Sequence, residues 1–257
     1  MTPAHIWTAY YTIIYHEVVR VLRIWSQTLL PPVITSGLYF IVFGTFIGSQ
    51  LPPIHGFSYI QFIVPGLIMM QVITSSYSNT VSTFYFAKWT KTLDEMLISP
   101  MPEWVIIAGF VSGGVMRGLI VGALVLATSL FFTHLVIFNA FILVAAIVVT
   151  SVLFSLAGLI NGVFAKGFDG ISIVPVFVLT PLTYLGGVFY SVSRLPPLWQ
   201  HVSLFNPILY MVNAFRWGFL GISDVPLWQC FGVLLGLMII FLGILGYLFK
   251  RGVGFRQ

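Results

Sequence analysis

Five charged side chains, Lys88, Lys91, Asp94, Glu95 and Glu103, crowd into the sixteen-residue segment KWTKTLDEMLISPMPE at 88–103. The apolar runs on either side, 57–87 and 104–132, carry a single charge, Arg117. Leu93, Met96, Leu97 and Ile98 fall at helical spacing beside the Asp94 and Glu95 pair, and Pro100 and Pro102 close the segment. The pattern predicts a short amphipathic helix in an aqueous loop. Two readings stand: a solvated loop that fixes orientation, or a contact helix for a soluble partner.

Other residues with chemical potential are sparse. His5, His16, His55, His134 and His201 lie apart, with no H-E-x-x-H or other ligand spacing, so neither a metal site nor an intramembrane protease is expected. Cys230 is the only cysteine, which excludes a disulfide framework. There is no G-x-x-x-x-G-K-[ST], so the chain is not expected to cradle nucleotide phosphates itself. No carboxylate falls within a predicted span, which argues against a proton- or cation-coupled relay.

The elements that hold these residues follow from composition. With 59% hydrophobic and 7% charged residues, and a mean hydropathy of +1.04, the chain cannot hide its apolar surface in one soluble core. The runs are apolar on every face, unlike the alternating strands of a barrel, so an all-α polytopic membrane protein is predicted as a single domain over 1–257. The formal charge of +5 is scattered through the loops without a basic stripe, which speaks against a nucleic-acid partner. No apolar stretch precedes a cleavage site in the first twenty-five residues, so no removable signal peptide is expected.

Six spans are predicted, near Leu29–Gly48, Gln61–Phe86, Trp104–Phe132, Ile137–Phe164, Ile171–Ser191 and Leu227–Phe249. Before them, 5–25 reads as an amphipathic interface helix with membrane lipid as its partner. Trp7, Tyr11, Ile14, Val18, Val21 and Trp25 would face the bilayer, and Thr12, His16, Arg20, Arg23 and Gln27 the water, with a break at Pro31 and Pro32. Its alternative is the start of the first span. Arg20, Arg23, Lys88, Lys91, Lys166, Lys250, Arg251 and Arg256 fall on one side and Arg194 and Arg216 on the other, so both termini and the 88–103 loop are expected in the cytoplasm. Small residues four apart predict close helix crossings: Gly114, Gly118 and Gly122, Ser151 with Ser155, Gly158 with Gly162, and Gly232 with Gly236. Arg117 sits near a span end, where it can snorkel or join a structural ion pair.

Residues 195–221 are expected on the outer side. Asn206 and Pro207 start a helix and Gly221 stops it, which makes it about 21 Å long and too short to span. It must dip into the membrane or lie in the interface. Asn213 and Arg216 would face together, toward a partner, a water-filled cleft or a lipid headgroup.

FSYIQFIVPGLIMMQVITSSYSN at 57–79, the 88–103 segment, and LTPLTYLGGVFYS followed by LPPLWQ and FNPILYMVNAFRWGFLG closely resemble the ABC-2 type permeases. The arrangement of Asn206, Pro207, Tyr210, Arg216 and Gly218 is the most specific element. The resemblance implies a transmembrane subunit of an ATP-binding-cassette exporter in the bacterial inner membrane. It implies a homodimer with two copies of a separate ATPase, which binds the ATP and Mg, so this chain holds no cofactor and is no enzyme. It also implies that Leu93, Asp94, Glu95, Met96, Leu97, Ile98 and Ser99 couple to that ATPase, that 5–25 is the interface helix, and that Pro197–Ser203 and Pro207–Leu220 are the paired outer helices. Tyr39, Tyr77, Thr180 and Tyr184 are candidates to line a pathway for an amphiphilic, lipid-linked or drug-like cargo, with Pro65, Pro175 and Pro181 as flex points. A channel, an ion-coupled carrier and a non-transporting scaffold remain the alternatives.

Overall fold

The computed structural model describes residues 3–252 and is entirely helical, with no strand among the described residues. Arg256, assigned above to the cytoplasmic side, lies outside that range. The chain begins with α1 (Pro3–Arg23), a turn at Ile24, and the one-turn α2 (Trp25–Thr28). α3 (Leu30–Tyr39) continues into wide π-helical turns at Phe40–Ile47 and a tight turn at Gly48–Gln50. The break thus falls at Ile24 and Leu29, ahead of Pro31 and Pro32. Those prolines stand in the first turn of α3, where no amide donor is needed, and so start the helix instead of interrupting it.

α4 (Tyr59–Trp89), α6 (Glu103–Ser129), α7 (Ala140–Phe164) and α12 (Leu227–Arg251) are long apolar helices. The fifth span is composite: α8 (Phe168–Val174), wide turns at Pro175–Leu179, and α9 (Thr180–Leu185). Together with Trp25–Gln50 these make six helices long and apolar enough to cross a membrane. Their starts are chemically marked. The Ser58 amide donates to Gln61 Oε1 (3.1 Å) in a capping box that opens α4, and the Asn139 side chain accepts from the Ile142 amide (3.1 Å) to open α7. Between α4 and α6 lies α5 (Thr92–Ile98). Between α9 and α12 lie α10 (Pro197–Leu204) and α11 (Pro207–Leu220).

α4 is the axis of the molecule. Within its most apolar window 78% of residues are buried, against 11% in the first and fifth spans and 17% in the sixth, which therefore stand at the edge of the bundle. α6 and α7 flank α4 through the predicted small-residue crossings. A Cβ at Gly114 would collide with Thr80 and Ser155 side chains, one at Gly118 with Ser76 and Ser151, and one at Gly158 would come within 2.6 Å of the Tyr77 carbonyl oxygen. Backbones approach there because no side chain intervenes. The predicted Gly232 and Gly236 pair differs: both have nothing within 4 Å of a Cβ and sit on an open face of α12.

Candidate functional site

The 88–103 loop folds as expected into a helix. α5 is tethered by Leu93, which is fully buried in a cluster with Ile106, Phe110, Leu245 and Phe249 of α6 and α12. Asp94 and Glu95 are exposed in its first turn, where a negative charge complements the helix dipole, and Ile98 is 84% exposed. Met96, Leu97 and Ser99 are half-buried, and the Ser99 hydroxyl donates to the Met96 carbonyl (2.7 Å) to close the helix. Lys88 Nζ donates to the carbonyls of Val163 (3.0 Å) and Ala165 (3.4 Å), so it caps the end of α7 as well as charging the loop. α5 thus has one apolar anchor turned inward, and two acids and an isoleucine turned outward.

α1 docks differently from the expected face. Its buried side is Ile13, Glu17 and Val21, set against α6, with Ile13 over Gly109, Glu17 over Gly113, and the Tyr10 hydroxyl 2.8 Å from Ser112 Oγ. Trp7, Tyr11, Tyr15 and Trp25 are exposed, as befits aromatic rings at a membrane surface. The correction concerns Arg20. Arg20 is only partly in water, about one-third exposed; its Nη2 donates to Asn79 Oδ1 (2.8 Å) and Glu17 Oε2 (3.1 Å), while Asn79 Nδ2 donates to the same Glu17 oxygen (3.1 Å). Arg23 remains exposed. Burial pushes the Glu17 carboxyl above the usual glutamate range, with Arg20 and Asn79 pulling the other way. Glu17 and Asn79 escaped the sequence reading, although Glu17 and Arg20 are spaced i, i+3 and Asn79 is a polar residue in an apolar run.

Arg117 is held by a backbone hydrogen bond instead of the ion pair named above. Its Nη2 donates to the Thr28 carbonyl (3.3 Å) and ties α6 to the start of the first span.

At the opposite end, α11 has the predicted bounds. Asn206 Oδ1 accepts from the Ile208 amide (3.0 Å), Asn206 Nδ2 donates to Leu182 (2.6 Å), Pro207 follows, and Gly221 closes the helix at φ +70°. The Tyr210 hydroxyl donates to the Leu204 carbonyl (2.7 Å). α11 is buried along nearly its whole length, so it dips into the bundle and does not lie in the interface. Asn213 and Arg216 are 0% and 1% exposed, so neither meets lipid, and Arg216 lines a cavity of about 650 Å³ with His55, Ser193 and Asp224. Arg216 Nη2 donates to the Gly187 carbonyl (2.7 Å), its Nε to Phe62 (3.4 Å), and the guanidinium lies 3.9 Å from the Phe62 ring centre. Asn213 Oδ1 accepts from the Asp224 amide (2.8 Å), and Asp224 Oδ2 accepts from the Val192 amide (3.1 Å). The backbone of the loop after α9 supplies the acceptors that a headgroup would otherwise supply.

The four pathway candidates are not brought together. Tyr39 and Tyr184 meet around Phe189, with ring centres at 5.8 and 5.7 Å, on the outer half of spans one and five. Thr180 is exposed on the same side of the fifth span as Tyr184, its hydroxyl donating to the Pro175 carbonyl (3.0 Å). Tyr77 is 1% exposed and lies apart, at an apolar cavity of about 400 Å³ beside Asn161 and Leu182. Of the proline flex points, Pro175 opens the wide turns, Pro65 lies inside α4, and Pro181 is in the first turn of α9.

Six helices long and apolar enough to cross a membrane, with the short α5 between the second and third and the short buried α11 between the fifth and sixth, define a polytopic membrane protein. The family model described as ABC-2 type transporter matches residues 8–220, and the chain belongs to that family. It is 58% identical to the inner membrane transport permease YadH of Escherichia coli K12 over 251 residues, 98% of each chain, and equally to that of Shigella flexneri. It is 24% identical to nodulation protein J of Rhizobium leguminosarum bv. viciae over 72% of this chain and 71% of that protein. Family membership makes it a transport permease, the membrane subunit of an ABC transporter.

Proposed function

We propose that this chain is the permease of an ATP-driven exporter in the bacterial inner membrane, paired with a second copy of itself and with two copies of a separately encoded ATPase that binds the ATP and Mg. Both termini and α5 lie on the cytoplasmic side, where the basic loop residues cluster. The observation that carries the reading is the geometry of α5. Leu93 is locked into the ends of α6 and α12, while Asp94, Glu95 and Ile98 project outward, so a push on α5 moves the long spans. Leu93, Asp94, Glu95, Met96, Leu97, Ile98 and Ser99 form the coupling segment, and the edge spans one and five separate or close around a pathway at the dimer axis. Tyr39, Thr180 and Tyr184 face that axis, and Pro175 lets the fifth span bend. The cargo is amphiphilic, in keeping with an exposed surface on these spans that is aromatic and aliphatic, Phe46 and Phe177 above all.

The test is a crosslink from Met96→Cys to the ATPase, with and without trapped nucleotide. A crosslink whose yield follows the nucleotide state supports coupling; none from any position in 91–99 in an inserted protein sinks it. Charge reversal at Asp94 and Glu95 should uncouple ATP hydrolysis from transport without affecting insertion. A channel or ion-coupled carrier would purify without a stoichiometric ATPase. A scaffold would show hydrolysis indifferent to every cargo.

A further inference from the structure

A cavity of about 760 Å³ opens between α1, the loop end of α4, α5 and the start of α8. Its size falls within the range of about 300–1,000 Å³ typical of sites for small organic ligands. It is two-ended. One wall is apolar, built from Phe86, Phe110, Phe168 and Ile171, and the other end holds His16, Glu17 and Arg20. The Glu17 and Arg20 charges cancel within that end, and the exposed Arg23 just outside it leaves one positive charge in excess. Glu17 is already held by Arg20 and by the Asn79 amide, whereas the Arg20 side chain is still about one-third exposed and the exposed Arg23 joins it at an adjoining hollow of about 260 Å³. The cavity also lies at the depth of the membrane surface, because α1 carries exposed Trp7, Tyr11 and Tyr15 along the same helix. Met96 of α5 forms part of its lining.

We propose that this cavity takes an anionic amphiphile from the membrane leaflet on the α5 side, its acidic head at Arg20 and its alkyl part along Phe86, Phe168 and Ile171. The occupant touches Met96, so the coupling helix senses whether the cavity is filled. The proposal rests on the permease reading and names a class of cargo for it, one acid group on an alkyl chain. A cationic amphiphile would meet Arg20 and Arg23 as like charges. A soluble anion would leave the aromatic wall in contact with water.

The experiment uses the full chain in phosphatidylcholine nanodiscs and three photoreactive probes that share one diazirine-bearing dodecyl chain: a phosphate, a phosphocholine and an alcohol. Labelled peptides are mapped by mass spectrometry. The phosphate probe should label residues 82–87 and 168–171, and unlabelled dodecyl phosphate should compete it away. Arg20→Gln should lower that labelling about fivefold, equivalent to roughly 1 kcal/mol. Ile171→Trp fills the apolar end without touching the Glu17, Arg20 and Asn79 contacts, and should lower it similarly in a protein whose α1 remains docked. Equal labelling by all three headgroups would overturn the charge selection. Labelling unchanged by Ile171→Trp, or confined to the outward face of α12, would overturn the site. Binding is read without ATP or partner, so its failure leaves the permease reading intact. Loss of the Met96 crosslink beside normal probe labelling would sink that reading alone.

Discussion

Glu17 and Arg216 show what buried charge does in a protein with few charges to place. Glu17 is held by Arg20 and Asn79 between α1 and α4, and burial raises its pKa. An acid whose folded pKa lies above its unfolded one stabilises the docked state fully below the unfolded value of about 4.3, and that contribution fades as pH rises through the folded value. The melting temperature of the wild type, relative to Glu17→Gln, should therefore increase as pH is lowered from 7 toward 5; a difference independent of pH would remove Glu17 from this role. Arg216 donates to the carbonyls of Gly187 and Phe62. Arg216→Ala should destabilise by about 1–3 kcal/mol for each carbonyl left without a donor. Arg216→Lys should recover only part of it, since an ammonium lacks the planar fork. Thermal unfolding in detergent reads both.

At the scale of the element, glycines that look alike in sequence separate into two kinds. Gly158 is pressed against the Tyr77 backbone, so Gly158→Ala should cost about 1–3 kcal/mol and lower the yield of folded protein. Gly236 has open space around it, and Gly236→Ala should be neutral or stabilise α12 by up to about 1 kcal/mol through helix propensity. Paired melting curves distinguish the two. The contrast marks how far the sequence is legible. The ends of α11 can be read because Asn206, Pro207 and Gly221 bear local capping chemistry, whereas the caps Ser58 and Asn139 went unread, and the second and fourth spans begin at Tyr59 and Ala140 instead of Gln61 and Ile137. The facing of α1 cannot be read in the same way. Its aromatic side and its arginine side are both amphipathic, and the choice is made by Asn79 on a helix 59 residues further along the chain from Arg20. The same holds for Arg216, whose acceptors are backbone atoms with no side-chain signature.

For the whole molecule, the unequal burial of the spans is the main result. α4 is enclosed, while spans one and five expose Leu38, Phe46, Ile173 and Phe177 at the edge of the bundle. If those edges meet a second copy, Phe177→Cys should form a disulfide-linked homodimer under mild oxidation. Ile239→Cys, equally exposed on α12, should not. The native Cys230 is buried and should remain silent. Equal crosslinking at both positions would indicate random collision, and the dimer axis would have to be sought elsewhere. The enclosed position of α11 also bears on biogenesis. A helix of 14 residues with an arginine in its second half is a poor substrate for independent insertion, because a charge at mid-membrane costs about 2.5–3.5 kcal/mol even on the insertion scale. Its acceptors, on Phe62 and Gly187, belong to two earlier parts of the chain. The newborn chain must therefore seat α4 and the fifth span before α11 can leave the water, which makes the docking of Arg216 a late checkpoint in manufacture.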